Sequence, residues 1–174
     1  MTPTGESGAN VNSGAERGGV HTGVVVSINV SDGGVPKLSV ERALVSADGV
    51  AGDRQENLKH HGGPARALCL YSAELIDALR AEGHGIVAGA AGENLTVRGV
   101  PWDAMVVGAR FRVGEVEGEV TGYTHPCYKV RACFADGVES RISQDVRPGW
   151  SRVYARVLRG GVIAAGNSFE LSAP

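Results

Sequence analysis

The stretch Met105-Val106-Val107-Gly108-Ala109-Arg110-Phe111-Arg112-Val113-Gly114-Glu115-Val116-Glu117-Gly118-Glu119-Val120-Thr121 decides the fold. Glu115, Glu117 and Glu119 alternate with Val116, Gly118 and Val120, a period of two that gives a strand one wet and one buried face. Gly114 marks the turn, so Met105–Val113 and Glu115–Thr121 read as the arms of a hairpin.

Outward from that hairpin the chain continues in the same way. Gly23–Val30 is rich in β-branched residues and is stopped by Asp32-Gly33-Gly34, with Lys37–Val40 as its hairpin partner. Arg42–Ala47, Arg66–Tyr71 and Arg152–Leu158 read as further strands, and Val162–Ala164 with Phe169–Leu171 as a last pair. One helix stands out. Ser72 is a good N-cap, Glu74 and Asp77 suit the positive end of the helix dipole, Leu75, Ile76 and Leu79 share a face, and Gly83 ends it. Residues 137–145 read as a second, short helix. The 26 glycines and 5% aromatics among 174 residues favour many tight turns over long packed helices. The expectation is an all-β fold with minor α: eight to ten short strands, one clear helix, short peripheral helices, and a closed or nearly closed β-barrel that hides the strand edges.

Residues 1–19 are mostly Gly, Ser, Asn and Thr and have little to bury, so a disordered tail is expected before a single domain over 20–174. A net charge of −2 argues against a nucleic-acid partner. The distribution is uneven: residues 125–159 carry seven Lys/Arg against three acids, which suits either an anionic small molecule or a solvated face. The three cysteines, Cys69, Cys127 and Cys133, offer no disulfide framework. No run approaches the roughly 18 apolar residues of a membrane span, and no signal pattern opens the chain. A cytoplasmic location and no membrane partner are the expectations.

Three constellations can carry chemistry. Lys59-His60-His61-Gly62-Gly63-Pro64 is a sharp turn that places a histidine either beside a cavity or in solvent. Gly89-Ala90-Ala91-Gly92-Glu93-Asn94-Leu95 sets a carboxylate and an amide between glycines, near a ligand or simply leading into a strand. Thr124-His125-Pro126-Cys127-Tyr128-Lys129-Val130 follows the best strand directly. Pro126 fixes the backbone there, and the cations nearby in sequence favour a thiolate at Cys127. On local chemistry Cys127 is either a ligand or nucleophile, or a small core residue. Cys69 lies in an apolar strand and reads as core.

The order of these pieces, His61-Gly62-Gly63, Gly92-Glu93-Asn94-Leu95, Val107-Gly108 before a hairpin, then Pro126-Cys127, resembles the MOSC domain, named for the C-terminal domain of molybdenum cofactor sulfurase. The likeness runs from about Val20 to Leu171 and is greatest to short single-domain bacterial members. Arg147-Pro148-Gly149-Trp150, the strand Val153–Leu158 and Gly166 also fit them. The resemblance implies a β-barrel with a cleft holding one cysteine, which ligates molybdenum in members that bind molybdenum cofactor (molybdopterin); by position this is Cys127. The cofactor phosphate implies a basic wall. Candidates, chosen on charge and position, are His61, Lys129, Arg147 and Arg152, with Gly62, Gly63, Gly92, Asn94 and Thr124 as further cofactor contacts. Short members often have an Arg-Ser pair before Pro-Cys where this chain has Thr124-His125.

Three functions are consistent with the resemblance. The first is a reductase of N-hydroxylated small molecules, with Cys127 on the metal and His125 or Glu93 moving protons. Electrons are then expected from a separate donor, since 174 residues leave no room for the N-terminal half of the two-domain reductases. The second is a sulfur-transfer or C–S-cleaving enzyme without the cofactor, in which Cys127 is nucleophile or persulfide carrier, served by a cysteine desulfurase. The third is a non-catalytic module for a phosphorylated ligand.

Overall fold

A computed structural model describes residues 19–54 and 63–174. The strands among them are β1 Val20–Val30, β2 Leu38–Val40, β3 Arg42–Ser46, β4 Gly49–Val50, β5 Leu68–Ser72, β6 Leu95–Arg98, β7 Arg110–Val113, β8 Val116–Tyr123, β9 Val153–Arg159, β10 Gly161–Ala164 and β11 Ser168–Ser172. Among the described residues one α-helix, α1 (Ala73–Ala81), follows β5, and four short 3-10 turns decorate the loops. The order β1-β11-β7-β8-β9-β5-β6 returns to β1, which closes a seven-stranded barrel; β2 extends β1, and β10-β3-β4 form a small second sheet. The expected all-β barrel with minor α is what the chain forms.

The deciding hairpin is β7–β8, turned at Gly114 (φ +55°). Val116, Gly118 and Val120 face the interior, while Glu117 and Glu119 pair outside with Arg159, Arg110 and Arg156. The first arm is shorter than expected. Residues 102–104 form a 3-10 turn, and Gly108, at φ +91°, takes the chain out of the extended state before Arg110. Gly118 has a packing reason to lack a side chain: a Cβ there would lie 2.2 Å from the Phe111 ring, which stacks on Phe169 at 5.2 Å.

The helix is capped as read, with Ser72 Oγ accepting from the Leu75 N–H. It also explains a pairing that local patterns do not reveal: β5 and β6 run parallel, and parallel neighbours need a crossover, here through α1. The residues after it, Ile86 and Ala91, join Ile76, Leu79, Tyr71, Val130 and Phe134 in a second apolar cluster apart from the barrel core. Three expectations are corrected. Residues 64–66 are a 3-10 turn, so β5 starts at Leu68. Only Glu139–Ile142 of 137–145 is helical, as one 3-10 turn. The last two strands do not pair together: β10 joins β3, and β11 closes the barrel between β1 and β7. Of the expected tail, residues 1–18 lie outside the described residues.

Candidate active site

The barrel's alternation sets the site. Leu68, Leu70, Val153 and Ala155 fill the interior, so Cys69 on β5 and Arg152 and Tyr154 by β9 face outward. Cys69 and Tyr154 are directly opposed across the two strands. Over this outer face lies a cavity of about 110 Å³, walled by the β1–β2 loop, by Ala91 and Gly92, and by the segment from His125 to Val130.

Each wall is held by hydrogen bonds that its sequence provides. After β8, the Thr124 N–H donates to the Arg152 carbonyl at 3.0 Å, and the Ser151 hydroxyl donates to the Thr124 carbonyl at 3.2 Å. Cys127 then opens the 3-10 turn Tyr128–Cys133, with its own carbonyl accepting from the Val130 N–H at 3.1 Å. Its thiol is half-buried at the cavity wall. The β1–β2 loop is fixed through Asp53. Its carboxylate accepts from the Ser31 N–H at 2.9 Å, from Asn94 Nδ2 at 2.9 Å and from the Lys37 ammonium at 2.5 Å. Gly92 sits where a Cβ would meet Val35 Cγ1 at 2.9 Å, so the close approach of these two walls requires glycine.

The wall's charge is one-sided. Lys37, Arg54, Lys129 and Arg152 line the cavity together with His125, and no Asp or Glu does so among the described residues. Asp53 and Asp32 stand behind Lys37 and Arg54. Arg152 is 8% exposed; its Nη1 donates to the Ala91 carbonyl, while its Nε has no hydrogen-bond partner among the described residues. A buried guanidinium N–H without a partner is costly. A cavity of this sign with a thiol in its wall suits an anionic ligand that also presents a soft, thiophilic centre.

The candidate residues divide by position. Cys127, His125, Lys129, Arg152 and Gly92 meet at the cavity. His125 Nδ1 lies 3.7 Å from Asp145 Oδ2 at the exposed rim. Thr124 is buried behind the wall. Asn94 is turned into the fold, accepting from the Cys69 N–H and donating to Asp53 and the Asn29 carbonyl. Glu93 is fully buried and does not line the cavity; its Oε1 accepts from the Gly89 N–H at 2.7 Å and the Thr96 hydroxyl at 3.0 Å. Glu93, expected to move protons as an alternative to His125, thus stands apart from the cavity lining. Arg147 is likewise removed from the cavity wall, because it pairs with Glu82 at 2.8 Å and stacks on Trp150 at 3.2 Å from the ring centroid. Gly63, at φ +94°, opens the turn at Pro64 and does not line the cavity. His61 and Gly62 lie outside the described residues.

Sequence reading missed Lys37, Arg54, Tyr154 and the cavity face of Cys69. For Tyr154 and Cys69 a signal existed: each is the odd member of an apolar alternation and so faces away from the barrel core. Burial pushes the Tyr154 hydroxyl up to about 12 and the Cys69 thiol up to about 11. Burial also raises Cys133, whose Sγ donates to the Ala90 carbonyl. Cys127 is therefore expected to take up iodoacetamide first at neutral pH, with the two buried thiols at least about tenfold slower; peptide mass spectrometry of the native protein measures the order.

A seven-stranded barrel with a basic, thiol-bearing cleft on its outer face defines the class, and relatives agree with it. The MOSC domain pattern matches residues 57–170. The chain belongs to the MOSC domain family. The uncharacterized protein YflK of Bacillus subtilis is 32% identical over 140 residues, 79% of this chain and 62% of that protein. Protein YiiM of Escherichia coli is 32% identical over 143 residues, with the same shares. The chain thus spans less than two thirds of these relatives' length. The crystal structure of YiiM from Geobacillus stearothermophilus is similar at a TM-score of 0.69 and 27% identity, covering 86% of this chain and 74% of that one. No helix among the described residues is long and apolar enough to cross a membrane.

Proposed function

We propose that this chain binds molybdenum cofactor and reduces N-hydroxylated small molecules, with Cys127 as the protein ligand to molybdenum. The observation that carries this reading is the cavity itself: one half-buried thiol, four Lys/Arg and no carboxylate in its described lining. The residues fit the group. A thiolate is the soft donor that molybdenum favours, and the Arg152 Nε, which has no partner among the described residues, is what an anionic oxygen would satisfy. Arg152, Lys129 and Lys37 would hold the phosphate side, and Cys127 the metal side. When bound, the cofactor supplies the two-electron redox chemistry.

The chain's own residues do the rest. Reduction of R–NHOH to R–NH₂ and water consumes two protons and two electrons, and the leaving oxygen must be protonated. His125 would supply that proton: it lines the cavity, with its Nδ1 3.7 Å from Asp145 Oδ2 at the rim. The neutral Tyr154 hydroxyl would be a second donor at the same cavity. Electrons come from a separate protein donor, and a small artificial reductant substitutes for it in the test. Protein made in a cofactor-competent host, supplied with a reduced viologen and an aromatic amidoxime, is expected to release the amidine. Metal-loaded protein that forms no amidine would contradict the reductase reading.

A further inference from the structure

Two buried side chains, Arg152 in the cavity wall and Glu93 behind it, each have one polar atom left over among the described residues. Glu93 is fully buried; Gly89 and Thr96 both bond its Oε1, and its Oε2 has no partner among the described residues. Arg152 is held through Nη1 on the Ala91 carbonyl, and its Nε is the leftover donor. Burial pushes Glu93 up; the hydrogen bond from the Gly89 N–H and, to a lesser extent, the charge of Arg152 favour the ionised carboxylate. Glu93 and Arg152 also share a support, because Ala91 and Glu93 belong to one short loop. The other buried carboxylate nearby, Asp53, is already committed to Lys37, Asn94 and the Ser31 N–H. Cys69, Tyr71 and Cys133, the other groups electrostatically linked to both, are held neutral by burial.

We propose that Glu93 is a positioning residue: its carboxylate is the internal counter-charge of Arg152, and an anionic group entering the cavity takes over that role by accepting from the guanidinium. A guanidinium in a dry wall with no counter-charge is expensive. A counter-charge close by but not hydrogen-bonded lowers that cost and still yields the N–H to a better acceptor. The ligand class is a compact oxyanion group, such as a phosphate monoester or carboxylate. This inference rests on the anionic-ligand part of the function proposed above and needs no metal for its test.

The test reads charge selectivity at Cys127. In the full chain at pH 8.5, the rates of Cys127 modification by anionic iodoacetate and neutral iodoacetamide are followed by peptide mass spectrometry. Their ratio cancels the thiolate fraction and reports the charge of the cavity. Arg152→Gln is expected to lower the ratio about threefold or more, and Glu93→Gln to raise it about two- to fivefold, because one removes the attracting charge and the other its offset. Glu93→Asp keeps the charge and stays within about twofold of wild type. Glu93→Met carries the same expectation as Glu93→Gln and replaces it if that variant does not fold. A packing role for Glu93 would not raise the ratio. A ratio unchanged or lowered by the uncharged Glu93 variants, with Arg152→Gln still lowering it, overturns the role of Glu93 and leaves the anionic-ligand reading intact. No change in Arg152→Gln removes that reading, and the role of Glu93 with it.

Discussion

Replacing Cys127 with serine is expected to lower the reduction of N-hydroxylated substrates by about 10³-fold or more, the scale seen when a member of a set that acts as one unit is removed. The exchange is nearly isosteric, so the loss is chemical. A serine hydroxyl is a hard donor that stays protonated at neutral pH, and it does not replace a soft thiolate on the metal. The backbone there is held without the sulfur, by the Val130 N–H on the Cys127 carbonyl and by the Thr124–Arg152 contact upstream. Compared without the cofactor, stability is therefore expected to stay within about 0.5 kcal/mol of wild type. Steady-state assays beside a thermal melt separate the two effects. An active serine variant would mean that Cys127 only lines the cavity.

The second large effect is structural and reaches the same cavity from behind. Gly89 is buried at φ +81°, and a Cβ there would stand 2.3 Å from the Lys37 carbonyl oxygen. Both faults act in Gly89→Ala, a disfavoured conformation and a collision with backbone, and together they cost about 2–4 kcal/mol. The displaced groups matter. The Gly89 carbonyl accepts from the Lys37 N–H at 2.9 Å, and the Gly89 N–H donates to Glu93. Moving them shifts Lys37 at one wall and the loop that supports Arg152 at the other. For a domain of this size the melting temperature is expected to fall by about 5–15 °C, and the folded variant to bind anions more weakly. A melt at the wild-type temperature would show that the two loops do not meet as closely as 2.3 Å implies.

What could be read from sequence was whatever a local pattern carries. The β7–β8 hairpin, the Ser72 cap and the strand–turn placement of Cys127 each follow from a few neighbouring residues. The cluster of Cys127, His125, Lys129 and Arg152 was legible because the first three are adjacent in the chain and Arg152 falls in the basic 125–159 region. Lys37 was hidden in what reads as an ordinary hairpin start; it reaches the cavity through Asp53 and Gly89, which are distant in sequence. Glu93 misled for the opposite reason. Flanked by glycines it looks presented to a ligand, yet the Gly89 N–H and the Thr96 hydroxyl draw its carboxylate inward. The parallel β5–β6 pair and the separate homes of β10 and β11 depend on barrel closure, which no local pattern encodes.

The most direct test of the account is the molybdenum content of the purified chain. Made in a host that synthesises the cofactor, the wild type is expected to carry molybdenum at close to one atom per chain, and Cys127→Ser to lose it while melting at the temperature of the cofactor-free wild type. A wild type that stays metal-free in that host, with Cys127 instead gaining about 32 Da, one sulfur atom, from a cysteine desulfurase, would contradict it.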